Sequence, residues 1–188
     1  MDDSISQIQS VDNLQWYVMR VTYQREIAAK QYLDNLGVEN FLPVQSVRRR
    51  NANGRFCRVQ IPLVHNFLFV HSERPVLDEI KTYKLPYLRY ATYVREGRHE
   101  IMIVPDRQMR SFMAIAGNGD KKAVYLDPSS VNLALGDRVR IIDGPFAGVE
   151  GTFMRLNGGR GKRVVVKIDM VAAVATTEIP PQAVEKID

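Results

Sequence analysis

The chain has 188 residues, 45% of them hydrophobic, and a net charge of +5 at pH 7, enough for one sizeable core or two small ones and only mildly basic. Its single cysteine, Cys57, excludes an intrachain disulfide and suits a reducing cytosol. No apolar run approaches the roughly 20 residues that cross a bilayer, and the acidic opening MDDSISQIQS lacks the basic start and apolar stretch of a signal peptide, so a cytoplasmic protein with no membrane contact is expected.

Residues 1–13 read as a flexible tail. LQWYVMRV (14–21) is rich in β-formers and reads as a strand. REIAAKQYLDNLG (25–37) sets Ile27, Ala28, Tyr32, Leu33 and Leu36 on one helical stripe, and Gly37 stops it. VENFLPVQSV (38–47) returns as a strand, and NANG (51–54) signals a hairpin turn, because Asn and Gly tolerate positive φ. FLFV (67–70) reads as a buried central strand. PVLDEIKTYK (75–84) opens a helix with Pro75. LRYATYV (88–94) and EIMIV (100–104) follow as strands, and PDRQMRSFMAIA (105–116) as a helix with Met109, Phe112, Met113 and Ala116 on one face. This order predicts an α+β domain over 14–116, its helices on one face of a mostly antiparallel sheet. Residues 117–134 are polar and turn-rich and read as a linker. From 135 to 188 helical periodicity is absent. DRVRII, GVEGTFMRL, KRVVVKIDM, AAVATTEI and AVEKI predict five short strands, hence a small all-β barrel.

Charge is unevenly spread. VRRRNANGRFCR places Arg48, Arg49, Arg50, Arg55 and Arg58 on the two arms and tip of one predicted hairpin. Guanidinium groups at that density point to phosphates of nucleic acid. Arg20, Tyr23, Gln24 and Arg25 fall at the junction of the first strand and helix; Arg and Gln can bond base edges and Tyr can stack on an unpaired base. Cys57 reads as a spectator thiol. His65, His71 and His99 are scattered, with no Cys or acidic partners at metal spacing. No phosphate loop or nucleophile elbow is present. The expectation is therefore a protein that is not an enzyme and holds neither metal nor cofactor.

The stretch RIIDGPFAGVEGTF joins two predicted strands through Asp143, Gly144, Pro145, Phe146, Gly148 and Gly151. Taken alone it is a barrel corner: Asp143 bonds its own turn, the glycines adopt conformations closed to other residues, and Pro145 fixes a dihedral. Phe146 is expected to cover the barrel mouth or offer an aromatic face. The wording resembles the KOW motif. WYVMRVTYQREIAAKQYL resembles the opening of the NusG N-terminal (NGN) domain, and PLVHNFLFV its central strand. The chain is identified by this resemblance as a member of the NusG family from about residue 14 to 187. The basic hairpin and HNFLFV resemble specialised paralogues of the RfaH and UpxY type.

The resemblance implies a transcription elongation and antitermination factor, acting on specific operons, with capsular polysaccharide operons as the candidate class. Its N-terminal domain would bind RNA polymerase on the β′ clamp helices and reach the β gate loop with residues 77–81, although the RfaH threonine signature is absent. Polymerase contacts map onto Phe67, Phe69, Tyr90 and Tyr93, and strand alternation is expected to turn only one of the two phenylalanines to the partner. Arg20, Tyr23, Gln24, Arg25 and the hairpin arginines would hold the non-template DNA strand or nascent RNA. The KOW domain would bind ribosomal protein uS10 or Rho, with Phe146, Phe153 and Met154 as candidate contacts and Phe153 expected in the core, and the protein would be a monomer. The competing reading is a ribosome-associated or RNA-binding KOW protein; the modest charge and the Trp-Tyr α+β module count against it. The β-branched density of KRVVVKIDMVAAVATTEI argues against a helical C-terminal domain. The expectation is a β-barrel on a mobile tether, leaving the polymerase face open.

Overall fold

The structure is a computed structural model, and it describes residues 13–117, 123–156 and 158–187. Residues 1–12 of the expected tail and 118–122 of the expected linker lie outside the described residues. The N-terminal half runs β1 (Gln15–Val21), α1 (Glu26–Asn35), β2 (Asn40–Phe41), β3 (Val44–Arg50), β4 (Phe56–Pro62), β5 (Phe67–Ser72), α2 (Arg74–Glu79), β6 (Leu88–Tyr90), β7 (Thr92–Arg95), β8 (Arg98–Ile101), β9 (Ile103–Val104) and α3 (Asp106–Ala116). A π-helical turn, Ile80–Lys84, continues α2. The C-terminal half contributes β10 (Val124–Leu126), β11 (Asp137–Ile141), β12 (Glu150–Arg155), β13 (Lys162–Ile168), β14 (Ala172–Ala175) and β15 (Val184–Lys186). The class is α+β. Among the described residues no helix is long and apolar enough to cross a membrane.

β1 is the centre of the N-terminal sheet, antiparallel to β5, β6 and β9. Successive strand residues point to opposite faces, and WYVMRV is apolar on both, so both faces need cover. α1 and the α2 segment cover one, with Ala29, Leu33, Leu77 and Ile80 against Tyr17, Met19, Val21, Leu68 and Val70. α3 covers the other, with Met109, Phe112 and Ile115 in one cluster with Trp16, Val18 and Phe69. This corrects the expectation of helices on a single face: an all-apolar central strand recruits helices to both. Against the same face, Trp16 stacks on His71 with ring centroids 4.8 Å apart. His71 Nδ1 lies 2.6 Å from Glu39, and its Nε2 lies 3.8 Å from Asp106 at the start of α3.

Three expected strands are divided. Pro43, which has no N–H for a ladder, separates β2 from β3, and the two join different sheets. Ala91 ends β6 by donating to Val18 O and accepting from Met102 N, which separates β6 from β7 and β8 from β9.

The C-terminal half is a six-stranded antiparallel sheet in the order β10-β14-β13-β12-β11-β15. The five expected strands are all present. The sixth, β10, falls within the segment read as a linker and pairs with β14 from Val124↔Ala175 to Leu126↔Ala173. Tyr125 then donates its hydroxyl to Ala116 O of α3 at 2.9 Å, and burial pushes its phenol up to about 12.

The two halves are not merely tethered. α3 packs against both sheets: the apolar cluster of Met109, Phe112 and Ile115 runs on into Phe146, Val164 and Val166 of the C-terminal half, and polar side chains add to that seam. Gln108 donates to Lys167 O at 2.7 Å, and Ser111 Oγ accepts from Glu150 N at 3.1 Å. The Glu150 side chain, 8% exposed, receives Arg107 from α3 and Arg140 Nε at 2.8 Å. The C-terminal half keeps the expected β structure, but it is seated on α3 instead of swinging free. The sequence expectation missed this because the polar face of α3 reads as an ordinary solvated face.

Candidate functional site

The junction between β1 and α1 is held from several sides. Tyr23 and Gln24 are consecutive residues at φ +65° and +54°, conformations that cost a non-glycine residue about 1–3 kcal/mol each and persist only where the surroundings fix them. Here Glu26, buried at the start of α1, accepts from Asn66 N at 2.8 Å, Val21 N donates to Asn66 O, and Thr22 N donates to Tyr87 O. The turn throws Tyr23 outward, 81% exposed. Arg25 stacks its guanidinium 5.8 Å from the Tyr23 ring and 5.0 Å from Tyr87, and Arg20 lies 5.8 Å from Phe67. The structure thus sets Tyr23, Gln24 and Arg25 on one exposed turn, with Arg20, also exposed, placed over Phe67.

The hairpin of β3 and β4 is the second cationic element. Its tip is tied by Asn51, whose side-chain oxygen accepts from Asn53 N and Arg55 N, with Gly54 at φ +74°. Register places Arg48 opposite Arg58, Arg49 opposite Cys57 and Arg50 opposite Phe56. All five arginines are exposed. Among the described residues none of them makes an ion pair. Like charges directly opposite across a ladder are destabilising, so Arg48 and Arg58 face each other at a cost that a bound polyanion would remove.

The aromatic candidates separate. Phe67 and Phe69 are two apart on one strand, so alternation places them on the same face and is not what would turn one of them from a partner. Their exposures differ because α3 lies over one of them: Phe69 is 0% exposed, with its ring 5.4 Å from Phe112, whereas Phe67 at the start of β5 is half-buried. Phe67 and Tyr90 line a cleft of about 130 Å³ with Arg20, Thr92, Met102 and Met170, the last from the C-terminal half. Burial and the neighbouring Asp78 carboxylate raise the Tyr90 phenol, and Lys81 Nζ lies 5.6 Å from its ring. Tyr93, across the β7–β8 hairpin, donates to Glu100 at 2.7 Å, a bond that raises its pKa. In the segment 77–81, Leu77 and Ile80 are core residues.

The turn after β11 is built as its sequence predicts. Asp143 Oδ1 accepts from Gly144 N at 2.8 Å, Gly144 and Gly148 have φ +86° and +88°, and Gly148 N closes back on Ile141 O. Phe146 is buried in the core, and Phe153 and Met154 are buried too. Phe153 is in the core as expected, and Phe146 and Met154 are buried instead of offering an aromatic or apolar face; the turn uses Phe146 as its anchor.

Residues 14–113 match the family model NusG, described as transcription termination factor nusG. The chain belongs to the NusG family. It is 25% identical over 171 residues to the Transcription termination/antitermination protein NusG of Thermus thermophilus, covering 83% of this chain and 90% of that one. NusG membership places the chain among transcription elongation and termination factors. The match takes in β1 through most of α3, and so includes both cationic elements. Within this NusG-family frame, reasoning from sequence passed over Phe56, Tyr87 and Met170. Phe56 could have been found, since pairing across NANG sets it on the face of Arg48 and Arg50; Tyr87 and Met170 depend on tertiary placement and carry no local signal.

Proposed function

We propose that this chain is a transcription elongation and antitermination factor that binds RNA polymerase through its N-terminal half and grips the displaced DNA strand or nascent RNA with its cationic hairpin. By holding the polymerase clamp and the nucleic acid together it favours the elongating enzyme over the paused one. A ligand shifts such an equilibrium only through its differential affinity for the two states. The polymerase contacts are Phe67, Tyr90 and Tyr93, with Phe69 supporting Phe67 from the core. The C-terminal domain would take uS10 or Rho as a further partner, and specific operons would be the targets.

The observation that carries this reading is the guanidinium ladder of β3 and β4, exposed and, among the described residues, without carboxylate partners, on a chain of a transcription-factor family. The test is the salt dependence of binding to a reconstituted transcription complex. Replacing Arg48, Arg49 and Arg50 with Gln lowers the slope by about one for each phosphate no longer neutralised, and weakens the protein's effect on pause lifetime in the same assay. An unchanged slope would return the hairpin to an ordinary solvated surface.

A further inference from the structure

One residue of the hairpin is left over by a purely phosphate-binding role. Phe56 is 58% exposed on β4, opposite Arg50 in register. Nothing in the hydrophobic clusters needs it. Two guanidiniums lie against its ring, Arg48 at 4.9 Å and Arg50 at 5.0 Å from the centroid. Alternation and register put Arg48, Arg50, Phe56 and Arg58 on one face of the ribbon, while Val47, Val59, Arg49 and Cys57 occupy the other. The first face is therefore an aromatic ring framed by three cations.

We infer that this face is a stacking platform for single-stranded nucleic acid, with Phe56 receiving a base and Arg48, Arg50 and Arg58 receiving the flanking phosphates. The inference rests on the reading of the hairpin as a nucleic-acid grip and specifies its ligand. A duplex offers the ribbon only its phosphates, because its bases are stacked on one another, and would gain nothing from an exposed ring. An unpaired strand offers both charge and base faces, and aromatic rings and guanidinium planes stack bases without regard to sequence. The attraction of each guanidinium to the ring also restrains two long side chains before any ligand arrives, so less freedom is lost on binding. The Asn51 turn, tied by its side chain to Asn53 and Arg55, holds the two arms in register at this point.

Fluorescence anisotropy of the full chain tests this with a labelled twelve-nucleotide oligothymidylate, the matching oligouridylate and a duplex of the same length. The oligothymidylate and oligouridylate arms separate a DNA strand from an RNA strand as the source of the shared chemistry. The expected result is that Phe56→Leu weakens single-strand binding about tenfold, the scale of one base stack, and leaves duplex binding and the salt slope unchanged. Phe56→Trp keeps single-strand affinity, and its indole emission falls on binding. Arg48→Gln with Arg58→Gln lowers the slope for every probe. If Phe56→Leu weakens single strand and duplex by the same factor, the ring only braces the arginines and the inference is overturned. It is overturned equally if Phe56→Leu changes neither. If the arginine variants alter no slope, the grip itself fails, and that result is distinct from either outcome at Phe56.

Discussion

At Gly151 a single added methyl group would stand 2.5 Å from Val165 O and 2.8 Å from Val164 Cγ1. Both neighbours belong to β13, which is bonded to β12 from Thr152↔Val165 to Arg155↔Lys162, so neither can retreat without opening the ladder. Gly144 presents the opposite situation: φ is +86° and nothing lies within 4 Å of the would-be Cβ. Gly144→Ala is expected to cost the roughly 1–2 kcal/mol of a left-handed non-glycine residue. Gly151→Ala is expected to cost about 1–3 kcal/mol through overpacking, with altered amide shifts along β13 that Gly144→Ala does not produce. Urea denaturation and an amide correlation spectrum of the two variants check this; matching spectra would mean that β12 and β13 can part at that point. Both glycines were visible in the sequence as turn or bend positions. Which kind of constraint each carries was not, because only pairing tells a dihedral requirement from a close approach. The same limit applies at Phe69, whose apolar character was legible but whose burial depended on where α3 came to rest.

Among the elements, β15 closes the C-terminal sheet with a short pairing to β11, from Val139↔Lys186 to Ile141↔Val184. Lys186 Nζ reaches Asp137 Oδ1 at 3.0 Å. The hydrogen bond from Lys186 holds the Asp137 carboxyl below its usual range. A carboxylate lowered on folding contributes stability that is complete above its unfolded pKa, about 3.9, and is lost as pH falls through the lower folded value. Thermal melts followed by circular dichroism are expected to show Asp137→Asn least stable relative to wild type near neutral pH, with the two converging as pH drops below about 4. A constant difference across the series would remove the ion pair from the account. The elements themselves were largely legible: α1, α2 and α3 and the strands β11 to β15 follow periodicity and turn residues. β10 was missed because three residues between polar, turn-rich flanks carry no usable period. The breaks at Ala91 and Met102 were missed because bonds to Val18, far away in sequence, set them. The cationic hairpin was legible as charge and turn, and its ring became meaningful only once register placed Phe56 beside Arg48 and Arg50.

For the whole molecule, the shared helix α3 means that two sheets depend on one element. Phe112 is fully buried and meets Phe69 at 5.4 Å and Phe41 at 6.1 Å, and its cluster continues into Val164, Val166 and Phe146 of the other half. Phe112→Ala is expected to cost about 3–5 kcal/mol and to lower the unfolding temperature of both halves together. Calorimetry would show one transition moving; two transitions of which only one moves would mean that the halves are energetically separate. The molecule also carries an internal signal for this helix. Its only tryptophan, Trp16, is stacked on an imidazole whose far nitrogen faces Asp106, the first residue of α3. Any event that lifts the beginning of that helix, whether a bound partner or a destabilised core, disturbs the stack and therefore the colour and intensity of a single native fluorophore. Attachment of the shared helix can thus be followed in real time, in the unlabelled protein, by its own ultraviolet emission.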